Sequence, residues 1–148
     1  MRYDPSKGIW IISDTMNNRR YGHTASVLIN GNVLVAGGVD DRTFLNTSEL
    51  YNISTDSWTN TSNMNSARWK HTASLLTNEK VLVTGGLSGW NYLNSSELYD
   101  PSTNSWTNTG QMNNARFWHT AILLSNGNVL VVGGSSNTSF ALNSSELY

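Results

Sequence analysis

Apolar residues along this chain come in short bursts, and the bursts return on a fixed period. Val33-Leu34-Val35-Ala36 runs into Gly37-Gly38, Val81-Leu82-Val83-Thr84 into Gly85-Gly86, and Val129-Leu130-Val131-Val132 into Gly133-Gly134. The copies start at positions 33, 81 and 129, a period of 48 residues. A period of that size marks a repeat architecture. No stretch carries the 3.6-residue spacing of an amphipathic helix, so the pattern predicts an all-β chain.

Each unit is predicted to hold four short strands. Strand D starts at a tryptophan, over 10–13, 58–61 and 106–109. Strand A is apolar, over 23–29, 71–77 and 119–125, and its continuously apolar end suits burial on both faces. Strand B is the burst itself. Strand C is Ser48-Glu49-Leu50-Tyr51, Ser96-Glu97-Leu98-Tyr99 and Ser145-Glu146-Leu147-Tyr148.

Asn30-Gly31 and Asn126-Gly127 predict two-residue type I′ turns between A and B, because that turn needs positive φ twice. Asn78-Glu79 stands at the same place in the middle unit, where positive φ is costly for Glu, so a strained turn or another type is expected. The paired glycines predict positive φ or a close backbone approach. Loops 39–46, 87–94 and 135–143 vary between units. The chain reads as one domain over 1–148, with units of about 3–50, 51–98 and 99–148.

Composition narrows the classes. Charged residues are 13% of 148 and the net charge is −1, so no basic footprint marks nucleic acid or an anionic membrane as a partner. Without cysteine, disulfides, thiolate metal sites and cysteine nucleophiles are excluded. Met1-Arg2-Tyr3-Asp4 does not open a signal peptide, and no apolar run is long enough for a membrane helix. Compartment stays unassigned. The sequons at Asn46, Asn52, Asn60, Asn94, Asn137 and Asn143 follow from the richness in Asn, Ser and Thr.

Three sets of recurring residues could carry chemistry. His23, His71 and His119 begin strand A; metal ligation is one reading, and satisfaction of groups at the start of an inner strand is the favoured one. Arg20, Arg68 and Arg116 recur with Glu49, Glu97 and Glu146. Acid–base work would need one asymmetric constellation, so structural ion pairs are expected. Gly37-Gly38 lacks the third glycine and the helix of a nucleotide loop. No metal, cofactor or catalytic residue is assigned.

The motifs together resemble kelch repeats. Gly37-Gly38, Tyr51 and Trp58 fit the family's Gly-Gly, Tyr and Trp marks, as do Gly85-Gly86, Tyr99 and Trp106. Gly133-Gly134 and Tyr148 continue the series, and Trp10 supplies the remaining Trp. The resemblance covers the whole chain and implies one four-stranded propeller blade per unit, with A innermost and D outermost. It also implies that one blade mixes strands from both chain ends. The copper chemistry of galactose oxidase, which carries kelch repeats, needs a Tyr–Cys crosslink that this chain cannot form.

Propellers close with about four to eight blades. Three blades therefore predict a C2 homodimer of six, with 9–13 of one copy pairing with 143–148 of the other; a nine-bladed trimer is the lesser alternative. The clean phasing also suits an engineered or excised fragment of a longer kelch protein, with assembly as its function.

Positions that differ between units mark a candidate ligand face: Tyr21, Asp40, Asp41, Arg42, Phe44, Trp69, Lys70, Trp90, Asn91, Tyr92, Phe117, Trp118, Asn137 and Phe140. The resemblance places the loops before strand A and between B and C on one face. The resulting expectation is a non-enzymatic scaffold that binds protein there; the runner-up is a lectin-like propeller stacking these rings on sugar.

Overall fold

The computed structural model describes residues 1–137 and 140–148, and for Asn137 and Phe140 the backbone alone. Among the described residues every strand pairing is antiparallel and no helix forms. The chain starts with a hairpin, β1 (Arg2–Asp4) and β2 (Ile9–Ile11). The first blade follows as β3 (Thr24–Val27), β4 (Val33–Ala36), β5 (Ser48–Asn52) and β6 (Ser57–Asn60). The second begins with β7 (Thr72–Leu75) and β8 (Val81–Thr84). A small loop hairpin, β9 (Leu87–Ser88) and β10 (Asn91–Tyr92), precedes β11 (Ser95–Asp100) and β12 (Ser105–Gln111). The third has β13 (Thr120–Leu123) and β14 (Val129–Val132), a loop hairpin β15 (Ser135–Asn137) and β16 (Phe140–Ala141), and β17 (Ser145–Leu147).

The sheets run β3-β4-β5-β6, β12-β11-β8-β7 and β13-β14-β17. Each complete blade therefore reads A-B-C-D, and its D strand opens the next sequence unit. Among the described residues the third blade has three strands. The B strands fill the centre: Val81, Leu82 and Val83 are at most 1% exposed, because blades cover both faces of β8. Strand A is shorter than predicted, and its apolar end is covered only where a neighbouring blade exists. Val27 and Ile122 remain 63% and 56% exposed at the two ends of the arc.

The A–B turns differ from the predicted type. The Gly31 amide donates to the Leu28 carbonyl (2.9 Å), the Leu28 amide donates to the Asn32 carbonyl (2.8 Å), and only Gly31 has positive φ (82°). This is a three-residue loop, a type I turn closed by one left-handed residue, rather than the I′ turn. Asn30 keeps an ordinary φ and its Oδ1 accepts from the Asn32 amide (3.0 Å). The middle unit adopts the same turn, with Glu79 forced to φ 68°.

The glycine pairs sit where one blade meets the lead-in to the next. Gly85 and Gly86 have φ of 65° and 95°, and a Cβ on Gly85 would lie 2.5 Å from the Arg116 carbonyl oxygen. That closeness lets the Gly86 amide donate to the same carbonyl at 2.9 Å, as Gly38 does to Arg68 at 2.8 Å.

The recurring arginines finish this joint. Arg68 reaches Glu97 Oε1 (2.7 Å) and the carbonyls of Gly85 (2.9 Å) and Ser95 (3.2 Å). Glu97 also accepts from the Asn65 and Ser66 amides. Arg20 with Glu49 and Arg116 with Glu146 repeat the arrangement at 2.6 and 2.7 Å. The ion pair lies within one blade. It fixes the crossover there, while the crossover's own amides at Met64 and Arg68 donate to Asn46 and Leu45 of the blade before.

Two outcomes follow for stability. Glu79→Gly should relieve a left-handed side chain and stabilise the chain by about 0.5–1 kcal/mol in thermal or urea unfolding. Glu97→Gln should destabilise it by about 3 kcal/mol, because Arg68 is left charged and fully buried without its counter-ion.

Candidate functional site

The lead-ins to strand A and the B–C loops meet on one side of the arc. Backbone bridges join Tyr21 to Val39, Trp69 to Leu87 and Phe117 to Ser135. Each bridge sets the aromatic residue before strand A against the B–C loop of its own blade.

Rings from successive blades then touch. Tyr21 meets Trp69 edge-on at 6.2 Å between centroids, and Phe44 meets Trp69 at 6.0 Å. Tyr92 lies 5.6 Å from Phe117, which lies 5.2 Å from Trp118. Phe44, Trp69, Leu87, Gly89, Trp90, Tyr92, Phe117 and Trp118 enclose a trough of about 450 Å³. Its rim is open: Trp90 is 92% exposed and Trp118 67%.

Lys70 stands beside the trough with its ammonium 3.9 Å from the Trp69 ring centroid and 3.6 Å from that of Trp118. The indole faces hold the cation through their quadrupoles, and burial draws the Lys70 pKa below its ordinary value. Gly22, Lys70 and Trp118 occupy the same place in the three units, and all are left-handed (φ 64°, 53° and 54°). Their backbones link in series, Lys70 N–H to Gly22 C=O at 3.0 Å and Trp118 N–H to Lys70 C=O at 3.1 Å.

Of the residues expected on this face, Tyr21, Trp69, Lys70, Trp90, Tyr92, Phe117 and Trp118 come together with Phe44. Asp40, Asp41 and Arg42 do not line the trough. Asp40 closes its own loop, accepting from the Arg42 and Thr43 amides at 2.8 and 2.7 Å, and those bonds hold its carboxyl below the usual range. Asn91 is exposed in β10. The side chains of Asn137 and Phe140 lie outside the described residues. Leu87 and Gly89 were not singled out by sequence. Leu87 is the residue after the second Gly-Gly, and that offset marks it as bridged to the A lead-in.

The histidines take a different part. His71 Nε2 is 3.0 Å from Thr24 Oγ1, and His119 Nε2 is 2.8 Å from Thr72 Oγ1, so each ring is tied to the preceding blade. Burial, with nearby Arg116 second, pushes the His119 pKa down to about 4, and the fully buried His71 lies well below the ordinary value. Among the described residues no three His, Asp or Glu converge as metal ligands. Trp10, Trp58 and Trp106 stack on Tyr3, Tyr51 and Tyr99 at 5.3, 5.1 and 5.1 Å, across strands C and D.

No curated protein matches the chain. The family model of the KLHDC2/KLHL20/DRC7 Kelch-repeats domain matches residues 2–148. Gly-Gly joints, Tyr–Trp pairs and A-B-C-D blades recur at the same phase across that span, and the chain belongs to the Kelch-repeat family.

Proposed function

We propose that the chain is a non-enzymatic binding scaffold and that two copies close into one six-bladed ring. One observation carries the closure: the two ends are unfinished halves of the same seam. At the first end, β2 is an outer strand without inner strands, and a recess of about 1010 Å³ lies between its connector and the first blade. Met16, Val33, Val35, Tyr51 and Trp58 line it. Their counterparts in the seam between the first two blades, Met64, Val81, Val83, Tyr99 and Trp106, are 1, 0, 0, 2 and 8% exposed.

At the other end, the third blade has its A, B and C strands and, among the described residues, no D. Its outward face leaves Ile122, Val132 and Leu147 at 56, 45 and 62% exposed. A Cβ on Gly133 would meet nothing nearer than the Leu142 carbonyl oxygen at 3.5 Å, whereas Gly85 is pressed by the next lead-in. The third blade of one copy has the strands that the recess of another lacks.

The strand exchange needs one correction. β2 is not free for a partner; it is paired with β1 of its own chain, Tyr3 opposite Trp10. β1 thus holds the strand C place that Glu146-Leu147-Tyr148 of a second copy would occupy. Closure displaces this three-residue ladder, whose Arg2 and Tyr3 are exposed.

Sedimentation should give about twice 16.3 kDa at micromolar concentration. Ile122→Asp should return the mass to that of one chain without changing the far-UV spectrum, and deletion of residues 1–4 should tighten the dimer. A single-chain mass at tens of micromolar would sink the closure; three times the mass would replace it with a nine-bladed ring.

The aromatic trough is the ligand face of this scaffold. Its lining is almost wholly apolar and aromatic, the composition of an anchor pocket for a protein side chain. The exposed indoles of Trp90 and Trp118 favour a second reading, stacking on sugar. A glycan array and a displayed-peptide selection separate the two. The selected binder should weaken at least tenfold on Trp90→Ala/Trp118→Ala, and binding that survives this double change places the ligand elsewhere.

A further inference from the structure

The inner strands are tied together by a column of histidine–threonine rungs. Thr24 meets His71 at 3.0 Å and Thr72 meets His119 at 2.8 Å, each threonine from one blade and each histidine from the next. Two rungs form inside the chain. His23 Nε2 at one end and the Thr120 hydroxyl at the other are the halves without a partner among the described residues. Both stand at the open faces: His23 lines the recess beside the first blade, and Thr120 is exposed on the third.

We infer that His23 of one copy pairs with Thr120 of the other, one rung per seam, so that closing the ring buries His23 neutral and acid reopens it. This rests on the ring-closure reading above and adds its regulation.

The interior rungs show why the neutral ring is required. A Cβ on Gly85 would lie 2.8 Å from His119 Cε1, so the glycine pair gives the imidazole a slot without space for a counter-ion. The charges around His23 are mainly positive. Arg20 lies behind it on its own lead-in, and His71 is its neighbour in the next blade. Arg2, Arg19 and Asp14 line the recess in front. The second copy brings Thr120 with His119 beside it in sequence.

Burial, and Arg20 after it, already lowers the His23 pKa somewhat in the free chain, where the ring is about half covered. The more enclosed His119 stands at about 4. Between the free-chain value and that of a closed seam, two separate chains bind more protons than the ring. The dissociation constant therefore rises as pH falls through the free-chain value, and it levels off once both states are protonated. Each histidine adds at most about tenfold per pH unit, and a ring has two. The carboxylates of Glu146 and Asp56 are held below their ordinary range and stay charged through this window.

The test is sedimentation at pH 7.5, 6.5 and 5.5, with circular dichroism at each pH to show that the blades persist. The wild-type dissociation constant should rise at least tenfold between the extremes. His23→Gln should dimerise at pH 7.5 with a flat profile. Thr120→Val should be several-fold weaker at pH 7.5 yet keep the acid slope, since His23 is still buried. A His23→Gln dimer as acid-sensitive as wild type overturns the proposal. So does a wild-type dimer with a flat profile, which leaves ring closure standing, whereas a chain monomeric at pH 7.5 removes both. Should His23→Gln fail to fold, proton NMR of the wild-type ring against the Ile122→Asp monomer decides instead. His23 should titrate at least one unit lower in the ring, and equal values overturn the proposal.

Discussion

A blade with an apolar B strand at its centre needs cover on both faces, and among the described residues only the middle blade has a blade on each side to supply it. β8 is buried on each side, while the outer blades show the same residue types to solvent at Val27 and Ile29 on one end and Ile122 and Leu147 on the other. Burying an aliphatic side chain contributes roughly 1.5–3 kcal/mol. Seam burial is therefore the largest favourable term available to this architecture, and the two ends still hold some of it in reserve.

What transmits one blade's position to the next is a joint made almost entirely of backbone. The lead-in carbonyls of Arg68 and Arg116 accept from Gly38 and Gly86, and only a residue without a Cβ lets the chains approach that far. The Arg–Glu pairs keep those lead-ins rigid. Since the lead-ins also carry Tyr21, Trp69 and Phe117, the joint that holds the blades together fixes the spacing of the aromatic face. Scaffold and aromatic face are one mechanical unit, with the recurring residues in the joints and the varying ones on the face.

Much of this was legible in the sequence because the period aligns equivalent positions. The 48-residue phase located every blade, the glycine joints and the aromatic positions that line the trough. Three features were not legible. Asn-Gly is shared by the I′ turn and by the type I turn with one left-handed residue, and the choice lies in the Leu28 amide and carbonyl rather than in the dipeptide. Arg2–Asp4 carries no predicted strand, although Tyr3 is in phase with Tyr51 and Tyr99. Its pairing with Ile9–Ile11 shows it to be a strand. Asp40, Asp41 and Arg42 were placed on the ligand face by their variability and by the position of the B–C loops that the resemblance implies. The offset from Asp40 to Thr43 already suits a carboxylate that closes its own loop, which is where the structure finds it.

The least expected feature is the left-handed conformation of Lys70 and Trp118. Outside glycine it costs about 1–2 kcal/mol per residue, and Gly22 at the same place shows that the backbone would accept the residue without that cost. The backbone links from Gly22 to Lys70 to Trp118 need only peptide groups, so the side chains contribute nothing to the joint. They contribute to the face instead: Trp118 walls the trough, and Lys70 sits against two indoles with its charge kept at the rim. Glu79, in phase with Gly31 and Gly127, holds the same conformation away from the trough, so it is the contact with the indoles and not the left-handed backbone alone that sets Lys70 and Trp118 apart. At the rim of the trough, between the second and third blades, the aromatic wall and the Lys70 ammonium thus meet on a backbone that the joint itself does not require to carry side chains.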